Sequence, residues 1–308
     1  MSTHALIQKI LHKIGDPKIV SKLAQNLSGS EFNSLMLEVF KQRAASVSPS
    51  ELLRNYEKNR FTLPASSDPI RILERKLNWL QAAKIKGFEP VTCSPAAPFG
   101  SCSSFGTVNQ DKVISAVRGT EIMADATNIL ALQLALSHKK DSKDLKRFAT
   151  THRHIRAQHF DQPNFTAHFE VFGMASGGVD SGSFRFEKEE LIAHLSLILH
   201  LLRHSFPDRE FRLAFYLKEK PESWKARLEN WLQDSISIPM TFQEDPEHHY
   251  YESFQFKVFL THEGHLIDLA DGGLVDWTKM LTGNQKHRCL ISGIGLELVE
   301  KLASNPLP

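Results

Sequence analysis

The chain has few cysteines, no long apolar run and no block of like charges. Its three cysteines, Cys93, Cys102 and Cys289, are too few and too scattered for a disulfide framework or a four-ligand zinc site. No stretch approaches about 18 consecutive apolar residues, and the first residues lack the continuous apolar segment of a signal peptide. We therefore expect a cytoplasmic protein with reduced thiols, no membrane association and no structural metal.

The charges nearly cancel. Lysine and arginine number 37 against 35 aspartates and glutamates, so the formal net charge of the 308 residues is +2. Without a basic block, the sequence gives no strong nucleic-acid signal. A hydrophobic content of 41% and a charged content of 23% are typical of a globular protein. The length suits one large domain, or a domain with an appendage.

Residues 1–66 have the pattern of a small helical unit. Apolar residues recur at three- and four-residue spacing, and the pattern breaks at residues 28–30 and again at 48–50. We expect Ser30 to cap the helix after the first break, and the segment Ser48-Pro49-Ser50 to start another. A stretch rich in proline and serine ends the unit. We predict a separate core from residue 67 to residue 308.

The core opens with a strong helix signal at Asp68-Pro69, because aspartate suits the N-cap and proline the first helical position. Its apolar residues form one stripe: Ile70, Ile72, Leu73, Leu77, Leu80 and Ala83. A strand is expected at 88–93. Further along, the pattern predicts helices at 189–203 and 222–233, and strands at 211–217 and from residue 240.

The stretch from His154 to Gly178 predicts a β-hairpin with a turn at residues 161–164. Strand alternation separates Ala167, Phe169 and Val171 from Thr166, His168 and Glu170, and places Arg156 and Gln158 on the side of His154. We predict that the polar side chains of both strands share one face of the hairpin. Such a face suits a polar ligand if the hairpin lies inside the sheet. The alternative is an edge hairpin with one solvated face. The composition of residues 175–182 predicts a turn-rich segment.

Three segments resemble the signature motifs of class II aminoacyl-tRNA synthetases. The helix after Asp68, followed by Gly87-Phe88 and Ser94-Pro95, resembles the first motif, which forms the dimer interface in that family. The hairpin resembles the second motif, with Arg156-Ala157-Gln158 in place of Arg-x-Glu. Its return strand is matched either by His168 and Phe172 or by Phe165 and Phe169. The glycine-rich stretch 291–297 resembles the third motif, in which a strand enters a helix. The resemblance implies an α+β fold with a mixed, mainly antiparallel sheet flanked by helices, and a homodimer.

Three further segments resemble histidyl-tRNA synthetases and their paralogue, the ATP phosphoribosyltransferase regulatory subunit. Residues 122–127 resemble Leu-Arg-Pro-Asp/Glu-x-Thr, where the acid holds the α-ammonium group of the substrate; Asp125 and Thr127 match. From its position alone, Asp125 could equally be a helix-capping residue. Tyr250 and Tyr251 precede an alternating strand, as in the Arg-Gly-Leu-Asp-Tyr-Tyr signature. Residues 271–276 resemble the Gly-Gly-Arg-Tyr-Asp turn.

The arginines that the resemblance assigns to adenylate formation are replaced by Leu298, Pro246 and Leu274, and the glutamate of the second motif by Gln158. Adenylate formation needs positive charge around a triphosphate, so we expect no aminoacylation. The residues that the resemblance leaves for ligand binding are Asp125, Thr127, Arg156, Gln158, His168, Glu170, Tyr250, Tyr251, Gly272 and Gly273. No catalytic residue is predicted.

The resemblance implies a histidyl-tRNA-synthetase-like paralogue that binds an amino acid or a related small zwitterion in a sensory or regulatory role. As in the regulatory subunit, no anticodon-binding domain is expected after the third motif. One alternative is an ATP- and magnesium-dependent ligase that activates a carboxylate for an acceptor other than tRNA, with Arg118, Lys112 or Arg185 supplying the missing cations. Another is a dimeric interaction module in which the helical unit docks a partner protein. The cofactor is otherwise unknown.

Overall fold

The computed structural model describes residues 3–106, 108–140, 145–157, 166–245, 247, 249–262 and 264–304. The helices are α1 (Thr3–Ile14), α2 (Ile19–Gln25), α3 (Gly29–Ala45), α4 (Pro49–Lys58), α5 (Pro69–Ile85), α6 (Ser101–Ser104), α7 (Ala126–Lys140), α8 (Arg185–Ser205), α9 (Pro221–Leu232), α10 (Trp277–Thr282) and α11 (Leu296–Ser304). The strands are β1 (Glu89–Pro90), β2 (Ala96–Pro98), β3 (Thr120–Ile122), β4 (Lys146–Ile155), β5 (His168–Val179), β6 (Phe211–Leu217), β7 (Met240–Glu244), β8 (Phe254–His262), β9 (His265–Val275) and β10 (His287–Ile294). Among these residues, no helix is long and apolar enough to cross a membrane.

An eight-stranded mixed sheet organises the core, in the order β1-β4-β5-β10-β9-β8-β6-β7. The pairs β1 with β4 and β6 with β7 are parallel, and the remaining neighbours are antiparallel. This confirms the predicted α+β fold. It also settles the hairpin question, because β4 and β5 lie inside the sheet rather than at its edge.

The two faces of the sheet carry different layers. One face, which we call the α8 side, packs against α5, α8, α9 and α11 in the larger apolar cluster. The opposite face, the α7 side, packs against α7 and α10 in a smaller cluster that includes Leu130, Phe148 and Trp277. Strand β5 alternates between them: Phe172 and Met174 enter the larger cluster and Ala175 the smaller one.

The helical pattern of the first residues is present as α1 to α4. The cap of α3 is Ser28 rather than Ser30, because Ser28 and Glu31 form a reciprocal capping box. Ser48 caps α4 and Asp68 caps α5, as predicted. Few of these side chains are shielded from water: α2, α3 and α4 contain no buried residue among those described.

Three predicted boundaries were wrong. Residues 175–179 continue strand β5 instead of turning, and residues 271–275 belong to β9. Both segments contain paired glycines that let a neighbouring element approach closely, so small residues here indicate close packing rather than a turn. The strand expected at 88–93 is reduced to Glu89–Pro90, which pairs with Phe148 and Ala149 of β4.

Candidate functional site

A cavity of about 850 Å³ is lined by residues of the β4–β5 pair, β9, β10 and the starts of α7 and α11. Six of the ten predicted ligand-binding residues line it: Asp125, Thr127, Arg156, Glu170, Tyr250 and Tyr251. His168, Gly272 and Gly273 do not, and Gln158 lies outside the described residues. The structure therefore brings together residues that are up to about 125 positions apart in the sequence.

Asp125 immediately precedes α7 and faces the cavity. One carboxylate oxygen, Oδ1, accepts hydrogen bonds from the backbone N–H of Thr127 at 2.9 Å and from its hydroxyl at 2.7 Å. The other, Oδ2, accepts a hydrogen bond from the hydroxyl of Tyr250 at 3.1 Å. The nearest cation, Nη2 of Arg156, lies 3.9 Å away. Asp125 thus caps the helix and still has a carboxylate oxygen with room for a further donor.

Two contacts hold the side chain of Arg156 along the cavity wall. Its Nε donates to the carbonyl oxygen of Ala124 at 3.2 Å, and its guanidinium carbon lies 5.6 Å from the ring centroid of Phe169. The side chain is about one-third exposed, at 36%. Because the guanidinium is held beside Asp125 without a close ion pair, its outer N–H groups can contact an anionic group of a ligand.

His154 is a cavity residue outside the predicted set. The backbone N–H of Ala126 donates to its Nε2 at 3.0 Å, so the neutral ring carries its proton on Nδ1. That Nδ1 has no hydrogen-bond partner among the described residues, although the side chain is only 2% exposed. Burial lowers the pKa of His154 to about 3, so the ring stays neutral at physiological pH. An unpaired buried N–H donor destabilises the folded protein.

A second tyrosine and carboxylate lie beside the first pair. The rings of Tyr250 and Tyr251 are 4.8 Å apart, and the hydroxyl of Tyr251 donates to Oδ2 of Asp271 at 3.0 Å. The amide Nε2 of Gln255 donates to the same oxygen at 3.3 Å. Burial, then the charge of the neighbouring carboxylates, raises the pKa of each tyrosine, so both phenols remain donors.

Gly272 and Gly273 lie in β9, where other groups pack closely against the backbone. A Cβ at Gly273 would lie 2.7 Å from the ring of Tyr251, and one at Gly272 would lie 2.5 Å from the carbonyl oxygen of Ile291. Real Cβ atoms do not approach so closely, so only glycine allows Tyr251 to lie flat on β9. Gly273 therefore makes room for Tyr251, and Gly272 makes room for Ile291 and Phe256; neither glycine lines the cavity.

The grouping of His168 and Glu170 with Arg156 was wrong. In the β4–β5 register, His154 is opposite Phe169, and Arg153 is opposite Glu170. His168 and Glu170 therefore share the α8 side with Arg153, whereas His154 and Phe169 share the α7 side. Alternation within each strand was correct, but the register between strands depends on the connecting loop, which alternation does not define.

His168 is held by the segment that joins α4 to α5. Its Nε2 donates to the carbonyl oxygen of Leu63 at 2.6 Å, and its Nδ1 accepts from Arg153 at 2.9 Å. Glu170 lines the cavity but is paired, with Arg153 at 3.3 Å and Lys76 at 3.2 Å. Both residues are therefore tied into the protein, which distinguishes them from Asp125.

Comparisons with known proteins bear on the fold. No family model and no curated protein matches the sequence. Among solved structures, the chain is similar to an ATP phosphoribosyltransferase regulatory subunit/histidyl-tRNA synthetase from Bacillus halodurans, with a TM-score of 0.63, 13% identity and coverage of 80% of this chain and 83% of that one. It is also similar to the apo histidyl-tRNA synthetase of S. aureus, with a TM-score of 0.57, 12% identity and coverage of 78% and 67%.

A histidine–tRNA ligase subunit from Alicyclobacillus acidocaldarius has a TM-score of 0.57 and 13% identity, over 78% of this chain and 96% of that one. The chain has a class II aminoacyl-tRNA synthetase-like fold. In this fold the predicted motif segments occupy the expected elements: α5, the β4–β5 pair, and the β10-to-α11 junction. At an identity this low, the likeness defines the fold alone.

The class II fold also locates the altered positions. Leu298, which replaces the arginine of the third motif, lines the cavity next to Glu297 and Lys301. Leu274 is buried in the larger apolar cluster and does not line the cavity. Pro246 lies outside the described residues. Of the cations considered as replacements, Lys112 lines the cavity, and Arg118 and Arg185 do not.

Asp271, His154 and Gln255 are cavity residues that the sequence analysis did not select. Asp271 was quoted only as the start of a presumed turn, and His154 only as the start of the hairpin. Their strand positions were readable, since Asp271 precedes two glycines in an apolar strand where a charge is unexpected. Gln255 carried no such signal. Among the described residues, no group of three or more His, Cys, Asp or Glu is arranged to hold a metal ion.

Proposed function

We propose that the cavity binds an amino acid or a related small zwitterion, and that the protein is a histidyl-tRNA-synthetase-like paralogue with a sensory or regulatory role. The observation that carries the proposal is Asp125. Its carboxylate is held in place by Thr127 and Tyr250, and no cation of the described residues lies within hydrogen-bond distance. An ammonium group is the ligand that such a carboxylate favours, because a charge-assisted hydrogen bond would compensate its partial burial.

The other end of a zwitterion has donors nearby. Arg156 lies beside Asp125. A ligand carboxylate would accept hydrogen bonds from its guanidinium group. The two charges of the ligand would then meet a carboxylate on one side and N–H donors on the other, which supports an α-amino acid as the ligand.

The surroundings of Leu298 support the absence of aminoacylation. Where the third motif would supply an arginine, the cavity wall carries the aliphatic side chain of Leu298. A leucine cannot supply the positive charge that a reacting triphosphate needs. A regulatory role is supported by the similarity to an ATP phosphoribosyltransferase regulatory subunit/histidyl-tRNA synthetase.

A homodimer formed through α5 is part of the proposal. Ile72, Trp79 and Ala83 of this helix enter the core, whereas Ile70, Leu73 and Leu77 are about 60% exposed. Exposed leucines on one face of a helix favour a protein partner, and the resemblance assigns the dimer interface to this helix. Light scattering should give twice the monomer mass of 34.9 kDa, and Leu73→Glu with Leu77→Glu should give the monomer.

The test of ligand binding is a thermal-shift screen against the twenty amino acids, each with and without Mg-ATP. A ligand at a hundred times its dissociation constant stabilises the folded state by about 2.7 kcal/mol, which is readily measured as a higher melting temperature. We expect a shift with at least one amino acid that ATP does not increase, and loss of that shift in Asp125→Asn. No shift with any amino acid in the wild-type protein would contradict the proposal.

A second candidate function is the ATP-dependent ligase, which one observation favours. Arg156 and Lys112 line the same cavity and could contact phosphate groups. Under this reading, ATP and magnesium are the cofactors, and a shift in melting temperature would require ATP. Exchange of radioactive pyrophosphate into ATP that depends on one carboxylic acid would establish this function in place of the regulatory one.

A further inference from the structure

The cavity contains two carboxylates with the same local design. Tyr250 donates to Asp125, and the adjacent Tyr251 donates to Asp271, so neighbouring phenols hold the two acids on one wall of the cavity. The rings of the tyrosines are 4.8 Å apart. A zwitterion with a single ammonium group uses only one of these acids, which leaves Asp271 without a function.

Asp271 has no ion-pair partner among the described residues. Within this part of the chain, its carboxylate accepts hydrogen bonds from Tyr251 and Gln255, and no lysine or arginine lies within ion-pair distance. Lys257 is the cation that acts on it from further away, but the Lys257 ammonium group lies 2.8 Å from Asp268. The remaining lone pairs of Asp271 therefore face the cavity without a charged donor.

Electrostatics support the same conclusion. Burial, and then the charge of Asp268, raises the pKa of Asp271, and Asp125 contributes in the same direction. Two carboxylates that disfavour each other in one cavity are stabilised together by a ligand that brings a cation to each.

We propose that Asp271 is a second cation subsite, and that the ligand is an amino acid whose side chain ends in a cationic hydrogen-bond donor, such as lysine, ornithine or arginine. This inference rests on the proposed function, since it assumes that Asp125 holds the α-ammonium group. Asp271, held by Tyr251 and Gln255, then receives the ammonium or guanidinium group at the end of the ligand side chain.

The test compares ligands that differ only in the terminal charge. Calorimetric titration of the whole protein with lysine and norleucine, and with arginine and citrulline, separates the contribution of the cation from that of the aliphatic chain. We expect the cationic member of each pair to bind at least about tenfold more tightly, because a hydrogen bond between charged groups is stronger than a neutral one.

Asp271→Asn is the decisive variant, since it keeps the size and the acceptor for Tyr251 while removing the charge. The preference for lysine over norleucine should fall to less than about twofold, while the affinity for norleucine changes little. Asp276→Asn is the matched control and should keep the preference, because Asp276 lies immediately after β9 and is not among the residues that line the cavity. Melting curves without ligand check that both variants fold.

The outcomes separate the two proposals. If norleucine binds as tightly as lysine, or if Asp271→Asn keeps the preference, the second subsite is wrong while amino-acid binding stands. If neither member of either pair binds the wild-type protein and no other amino acid does, the proposed function itself is wrong. If the cationic member of a pair binds more tightly, Asp271→Asn removes that preference, and Asp125→Asn weakens the binding of both members, both proposals are supported.

Discussion

Carboxylates lie on both sides of the central sheet, but their partners differ between the two sides. On the α8 side, Arg153, Glu170 and Glu297 form an ion network with Lys76 and Lys301, at distances of 3.0 to 3.4 Å. On the α7 side, Asp125 and Asp271 rely on tyrosine hydroxyls. Carboxylates that are paired within the protein stabilise the fold, whereas carboxylates with unused acceptors are available to a ligand.

Two buried histidines repeat the contrast. On the α8 side, both ring nitrogens of His194 have partners, Ser176 at 2.8 Å and Ser292 at 2.7 Å. On the α7 side, only one nitrogen of His154 has a hydrogen-bond partner among the described residues. Of the two histidines, His154 lines the cavity and His194 does not.

The largest expected effect comes from breaking the ion network. Arg153→Met leaves Glu297, which is 1% exposed, without its closest cation. Removing one partner of a buried pair costs about 3–5 kcal/mol, and because the Arg153 side chain is 32% exposed we expect about 3 kcal/mol. Urea denaturation measures the free energy of unfolding. Lys22→Met, which breaks an exposed pair with Asp16, is the control and should cost less than about 1 kcal/mol.

Asp125→Asn should lower the affinity for the amino-acid ligand and leave the stability of the fold nearly unchanged. Asparagine caps helices about as well as aspartate, so we expect the free energy of unfolding to change by less than about 0.5 kcal/mol. The affinity for the amino-acid ligand should fall about thirtyfold, or about 2 kcal/mol, because a charge-assisted hydrogen bond is lost. Glu170→Gln, in the ion network of the α8 side, should lower the free energy of unfolding and leave the affinity for the ligand nearly unchanged. Equal losses of affinity in the two variants would remove the distinction between the two sides.

The buried histidines predict how stability depends on pH. Burial lowers the pKa of His194 to about 3, below its ordinary value near 6.5. The unfolded chain therefore takes up a proton that the folded protein excludes, so this contribution to stability is complete above about pH 6.5 and is lost as the pH falls toward 3. Between pH 6 and pH 5 each such histidine should account for about 1 kcal/mol.

His194→Gln should reduce the change in the free energy of unfolding between pH 6 and pH 5 by the contribution of one histidine. Urea denaturation at both pH values measures this change. His12→Gln, on an exposed face of α1, is the control. Because His154 has its pKa lowered in the same way, part of the dependence should remain in His194→Gln. An unchanged slope would mean that His194 is protonated in the folded protein as readily as in the unfolded chain.

The smallest effect concerns the hydroxyl of Tyr250. Tyr250→Phe removes the donor 3.1 Å from Oδ2 of Asp125 and keeps the ring. Affinity should fall about threefold to fivefold, equivalent to less than about 1 kcal/mol, because the phenol orients the carboxylate without contacting the ligand ammonium group. Tyr56→Phe, on α4, should leave affinity unchanged. A loss as large as that of Asp125→Asn would instead place the phenol in direct contact with the ligand.

The sequence alone determined the local structure and much of the order of the fold. Ser48 and Asp68 mark helix starts because their side chains accept the first free N–H groups. The strand at 211–217 was predicted to the residue from its apolar alternation. Asp125, Thr127 and the tyrosine pair were selected from short motifs, and all four residues line the cavity. Such signals are local, so they can be read without knowing what lies across the sheet.

Only the tertiary structure decided which polar residues share a face and which already have partners. Register placed His168 and Glu170 on the α8 side, although each strand alternates as predicted. The approach of Tyr251 over Gly273 brought Asp271 into the cavity, and the packing of α7 on β4 left one nitrogen of His154 unpaired. These properties depend on contacts between residues distant in the chain, and a side chain's charge or polarity does not reveal whether the fold satisfies it.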